Sequence, residues 1–384
     1  MMNSRALGFV TLAATVVLIS ASLAQEGEAR RGHQDRSLLL ESGACVGRAL
    51  GYLQKLQQDD GSWRGDPAIT ALVVTAMMGS GQEEFGPNSE AVRKGLGFVR
   101  GFARPDGGIY GKLYPNYTTS VCVMALVEAG QPDDRERIRR AQQFLLGLQA
   151  DEGEGISPED QQYGGWGYEP QGAEGQEEMH RADLSNTQLA LEAVRALQEA
   201  AEQDKVEGGA AGDTARTETE LCFQKAVRYL ERCQNKDGGF IYRPGESKAG
   251  EVPGEGLRSY GSMTYAGLKS MIYAKLDRND PRVRAAYDWV RQHWTVAENP
   301  GLGAQGLFYY YQTMAKALSA YGAETVVDST GTAHDWRAEL LDQLLKVQQA
   351  DGSWLNANGR WMENIPELVT AYVVLAIEHA TSKW

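Results

Sequence analysis

The stretch His180-Arg181-Ala182-Asp183-Leu184-Ser185-Asn186 stands where an apolar helical pattern begins. A lone aspartate there can do two things. Buried in apolar surroundings, its carboxyl would hold its proton near neutral pH and could donate it. As the residue before the helix, it would cap the first free N–H groups. The two roles can coexist. His180 and Asp183 are three residues apart and could share a metal, but the sequence offers no third ligand beside them. No metal or other cofactor is therefore expected.

Aromatic residues recur where other apolar patterns begin: Tyr114, Tyr117, Trp166, Tyr168, Tyr260, Tyr265, Tyr309, Tyr310 and Trp361, with Asn186 and Glu363 among them. Any one of these rings could be helix-end packing. Gathered at one mouth they would line a binding site, holding an apolar chain, stabilising a cation over a ring face, or stacking on a sugar. Paired carboxylates nearby would also suit glycoside hydrolysis.

The elements that must position these residues form a repeat. Gln57 to Trp63 (QQDDGSW) nearly duplicates Gln348 to Trp354 (QQADGSW). Weaker copies surround Gly107, Gly164, Gly238 and Gly303, giving anchor spacings of 46, 57, 74, 65 and 49 residues with Gly61 and Gly352. Periods of this size indicate stacked supersecondary units. An amphipathic helical pattern precedes each anchor: Val46–Leu56, Val92–Phe102, Ile138–Leu148, Leu221–Cys233, Val283–Trp294 and Leu340–Val347. A more apolar one follows: Ala68–Met78, Thr118–Glu128, Leu184–Leu197, Met263–Ala274, Phe308–Ala320 and Leu368–Ile377. The unit is an outer helix, a glycine turn and an inner helix. An open array would need polar end caps. Here the terminal copies are the best preserved, and neither terminal inner helix is polar. The expected fold is all-α: a closed α/α toroid of six helical hairpins.

With Gln, Gly and Trp at 57, 61, 63 and again at 348, 352, 354, and the variant Gln234, Gly238, Phe240, the chain resembles the prenyltransferase and squalene oxidase repeat proteins over roughly residues 41–380. The resemblance implies the toroid of the terpenoid cyclases and protein prenyltransferase β-subunits, with inner-helix starts rimming a cavity. It also implies Asp-x-Asp-Asp acids in cyclases and zinc held by Asp, Cys and His in prenyltransferases. This chain has no such acid run, and Cys122 lacks an adjacent Asp or His. Three readings follow. The toroid binds an apolar or sugar-like small molecule, or a protein partner, at its mouth without standard cyclase chemistry. It is a cyclase or prenyltransferase-like enzyme using Asp183, with His180 near it. Or it is a carbohydrate-active barrel.

Composition narrows the setting. The 384 residues carry a net charge of -13, which argues against nucleic-acid binding. Residues 6–24 are uncharged, follow Arg5 and end in Ser22-Leu23-Ala24, the layout of a secretory signal peptide covering 1–24. The expectation is an exported chain, periplasmic or secreted, with a polar segment at 25–40, one toroid over 41–384, and no membrane span once the signal is removed. Acidic, glycine-rich loops are expected at 151–179, 201–220 and 243–258. The four cysteines read as buried thiols, with one long-range disulfide open as an alternative.

Overall fold

The computed structural model describes residues 36–170, 180–206 and 213–382. The expected signal peptide and parts of the first two acidic loops lie outside them.

Twelve α-helices in six hairpins make up the described chain. The outer helices are α1 (36–55), α3 (Glu90–Arg100), α5 (Arg135–Leu146), α7 (Asp213–Cys233), α9 (Pro281–Gln292) and α11 (Trp336–Lys346). The inner helices are α2 (Pro67–Gly79), α4 (Pro115–Ala129), α6 (Leu184–Val206), α8 (Gly261–Tyr273), α10 (Leu307–Tyr321) and α12 (Pro366–Thr381). Each inner helix packs on the next, and α12 packs on α2, so the ring is closed. Proline opens α2, α4 and α12, where its missing N–H costs nothing.

The repeat works as a joint between hairpins. Nε2 of Gln57 donates to the carbonyls of Gly61 and Ala91 at 2.9 and 2.8 Å, tying the turn to the start of the next outer helix. Gln234 does the same to Gly238 and Arg282. Gln348 joins Gly352 to Cys45 in α1, so the last copy shuts the ring on the first outer helix. The indole N–H groups of Trp63, Trp166 and Trp354 donate to the carbonyls of Leu53, Leu145 and Leu344. At Gly352 φ is +94°, and a Cβ would stand 2.6 Å from the Arg48 carbonyl oxygen; only glycine allows that approach.

Three features depart from the sequence reading. Of the loop expected at 201–220, residues 201–206 are the end of α6 and 213–220 the start of α7. Gly303 does not abut an outer helix as the other five anchors do; a Cβ there would meet only Glu298, at 4.0 Å. The fifth turn is instead held by Asn299, which accepts from Ser262 N and donates to the Gln305 carbonyl. The loops also contain two short antiparallel hairpins, β1 (Glu251–Val252) with β2 (Gly256–Leu257) and β3 (Val326–Val327) with β4 (Ala333–His334). Two-residue strands are too brief to leave an alternating pattern. All four cysteines are buried free thiols. No helix among the described residues is long and apolar enough to cross a membrane.

Candidate functional site

The six inner helices enclose a cavity of about 750 Å³. The inner helices all run in one direction, since each follows an outer helix through a turn at the same end. Their N-terminal ends therefore share one end of the cavity and their C-terminal halves the other.

The N-terminal end is aromatic. Tyr114, Tyr117, Tyr168, Tyr260, Tyr309 and Trp361 line it, as do Tyr242 and Tyr372. The rings support one another: Tyr114 packs edge-on to Tyr168 at 5.2 Å and Tyr309 to Tyr372 at 6.2 Å. Their hydroxyls meet polar partners, with Gln188 Nε2 donating to Tyr309 Oη at 3.1 Å and the Tyr117 and Tyr372 hydroxyls 3.5 Å apart. Tyr114, Trp361 and Met362 have φ of 58°, 56° and 63°, a left-handed geometry costing on the order of 1–2 kcal/mol for a residue with a side chain. The surroundings hold it. Glu169 accepts from the Tyr114 N–H at 3.0 Å, and the Trp361 ring fits against Gly306, where a Cβ would stand 2.9 Å from it. Trp361 and Met362 stay 42% and 51% exposed, so this end opens to solvent.

The opposite end is charged. Glu192, Arg195, Glu199, Lys316, Glu378 and His379 line it with Glu128 and Tyr273. Lys269, only 1% exposed, stands behind and donates to Glu192 Oε2 at 2.6 Å; Lys316 reaches Glu192 Oε1. Burial opposes charge on Glu192, but the two lysines hold its carboxylate down at about 2. Burial lowers Lys269 to about 8 against the pull of Glu192. Both remain charged at neutral pH. Burial also drives His379 down to about 3, so its imidazole is neutral, and holds the Glu378 carboxyl well above its ordinary range.

The structure separates the residues singled out from the sequence. Tyr114, Tyr117, Tyr168, Tyr260, Tyr309 and Trp361 come together on the cavity wall. Trp166, Asn186, Tyr265, Tyr310, Glu363, Asp183 and His180 do not line it. Trp166 is fully buried as the joint tryptophan of its repeat. Tyr265 and Tyr310 pack edge-on to each other, and the Tyr310 hydroxyl donates to the Thr295 carbonyl. Glu363 caps α10 from outside it, accepting from Tyr309 N at 2.8 Å and from Asn356 Nδ2. His180 is buried, its backbone carbonyl against Gly167.

Asp183 caps α6. Its Oδ1 accepts from Asn186 N and its Oδ2 from Asn186 Nδ2, both at 2.9 Å. Burial raises it to about 6, and the Tyr242 hydroxyl interacts with its carboxylate. Tyr242 is placed by its own carbonyl, which accepts from Leu184 N at 2.8 Å. Asp183 thus lies one side chain behind the wall, with Tyr242 between it and the cavity.

Among the described residues no group of three or more His, Cys, Asp or Glu side chains is arranged to hold a metal ion.

Sequence reasoning missed Tyr242 and the charged end. Tyr242 sits two residues after Phe240, as Tyr168 sits two after Trp166, so the repeat itself carried the signal. The charged end was signalled only by ionisable residues inside helices that are otherwise apolar, where such residues are rarely buried without a partner.

No protein-family model matches the sequence. Solved structures resemble the fold. A type II terpene cyclase from Scytonema, in complex with its product merosterolic acid A, superposes with a TM-score of 0.57 at 15% identity, over 91% of this chain and 99% of that one. The same cyclase with its substrate geranylgeranyl dihydroxybenzoate gives a TM-score of 0.56 at 14% identity, again over 91% and 99%. A protein from Actinoplanes gives 0.51 at 15% identity over 88% and 99%. This chain has the terpenoid cyclase-like α/α toroid fold.

Proposed function

We propose that the protein binds an elongated apolar small molecule, of isoprenoid kind, lengthwise in the toroid cavity. One observation carries this: a continuous cavity, of the volume typical of small-molecule sites, runs from the aromatic inner-helix starts past an apolar middle to their charged C-terminal halves. A helix of 13 residues such as α2 is about 20 Å long, so the wall suits a chain more than a compact ligand. The Scytonema cyclase, similar in fold, is described with a geranylgeranyl substrate, which supports the same class here. A sugar would find few free polar groups at the aromatic end, where the hydroxyls already face one another. Export through a signal peptide over 1–24 belongs to this proposal.

A second reading, chemistry on the bound molecule, is favoured by Asp183. Its carboxyl, raised to about 6, holds a proton into mildly acidic pH and stands next to Tyr242 on the wall. A proton from Asp183 would have to pass through the Tyr242 hydroxyl.

The test of binding is fluorescence anisotropy of a dansyl-labelled geranylgeranyl probe. Saturable binding is expected, at least about tenfold weaker in Leu189→Trp, whose indole narrows the cavity. No saturation, or equal affinity in the variant, contradicts the reading.

A further inference from the structure

We propose that the charged end of the cavity seats an uncharged, hydroxyl-bearing head group of the apolar ligand, with the Glu378 carboxyl as its hydrogen-bonding partner. This rests on the cavity-binding reading above and adds orientation and head-group chemistry to it.

Glu378 lies in the last turns of α12, on the cavity wall. Its Oε1 is sealed from solvent and has no hydrogen-bond partner, an expensive condition for a polar atom unless something meets it. Its Oε2 rests against α2 at Gly79, where a Cβ would stand 2.4 Å from that oxygen. A side chain at residue 79 would push the carboxyl out of this position. A carboxyl on the cavity wall with one oxygen unpartnered and sealed gains a partner by turning toward a ligand atom in the cavity.

The surrounding charges exclude an ionic head. The three cations on the cavity wall are already engaged: Lys316 with Glu192, Arg195 with Glu199 at 2.7 Å, and Lys248 with Glu246 at the far end. A diphosphate or carboxylate head would find no unengaged cation and would face Glu128, Glu192 and Glu199. A cationic head would face Lys316 and Arg195. A neutral hydroxyl fits. Burial and the nearby Glu128 charge favour the protonated form of Glu378, against the pull of Lys316. A protonated carboxyl offers one donor and one acceptor. An alcohol can accept from the first and donate to the second.

The test compares three probes on one chain: geranylgeraniol, geranylgeranyl diphosphate and the hydrocarbon of the same chain. Each is measured on the full protein by displacement of the dansyl probe. We expect the alcohol to bind about tenfold tighter than either alternative, the size of one net hydrogen bond. In Glu378→Leu the alcohol should lose its advantage over the hydrocarbon. Gly79→Ala, whose Cβ would press on the Glu378 carboxyl and displace it without removing it, should give the same loss and serves if Glu378→Leu does not fold. Equal binding of alcohol and hydrocarbon by the unaltered protein overturns the head-group assignment and leaves the cavity reading standing. So does tighter binding of the diphosphate, or a preference that survives both substitutions. Failure of all three probes to bind defeats the cavity reading itself, and this inference with it.

Discussion

At one end of the cavity the wall is tyrosine and tryptophan; some two helical turns further along the same helices it is glutamate, lysine, arginine and histidine. The aromatic end is dominated by rings, with Lys248 paired to Glu246 beside them, and its distinctive cost is backbone strain at Tyr114, Trp361 and Met362. The charged end has regular helical backbone, and its cost is the desolvation of Glu192 and Lys269. An aromatic wall holds an apolar body without specifying its orientation. A charged layer whose cations already meet carboxylates, with one unpartnered carboxyl oxygen, can orient that body. The difference between the ends is the basis for assigning them body and head.

The largest effect should come from unpairing the charged end. In Glu192→Gln the Lys269 ammonium loses its anion while still buried, which typically costs about 3–5 kcal/mol. Urea denaturation should show this loss, and Glu192→Gln combined with Lys269→Met should recover much of it. A loss below 1 kcal/mol in the single variant would mean that the pair is solvated.

A smaller, pH-dependent effect probes the buried carboxyl behind the aromatic end. Asp183 goes from an ordinary value of 3.8 to about 6 in the folded chain. A raised folded value favours folding fully below 3.8, and that contribution is lost as pH rises through 6. At about 1.4 kcal/mol per unit, roughly 3 kcal/mol should separate pH 3.5 from pH 7. Asn caps helices about as well as Asp, so Asp183→Asn should stay folded and show a flatter pH profile by that amount. Parallel profiles would place Asp183 in a solvated setting.

The fold was legible because its rule is local and repeated. A Gln, a Gly and an aromatic at fixed spacing each make the same bonds in successive hairpins, as Gln57, Gln234 and Gln348 show. One joint was hidden by an insertion: Gln149 donates to the Gly164 carbonyl 15 residues on, so the usual spacing does not reveal it. The site was half legible. Rim aromatics could be located by position, but a helix start has two sides. Tyr309 and Tyr310 are neighbours in sequence, yet Tyr309 lines the cavity while Tyr310 reaches back to the Thr295 carbonyl. Glu378 and His379 were harder still, because their role depends on Gly79 and Lys316 from other helices, which no spacing within α12 encodes.

The central claim is that one elongated ligand lies along the cavity with its head at the charged end. A crystal structure of the protein grown with geranylgeraniol tests it most directly. The prediction is a chain running past Tyr117, Tyr309 and Tyr372 with its hydroxyl beside Glu378. An empty cavity, or a chain whose hydroxyl lies among the tyrosines, would contradict it.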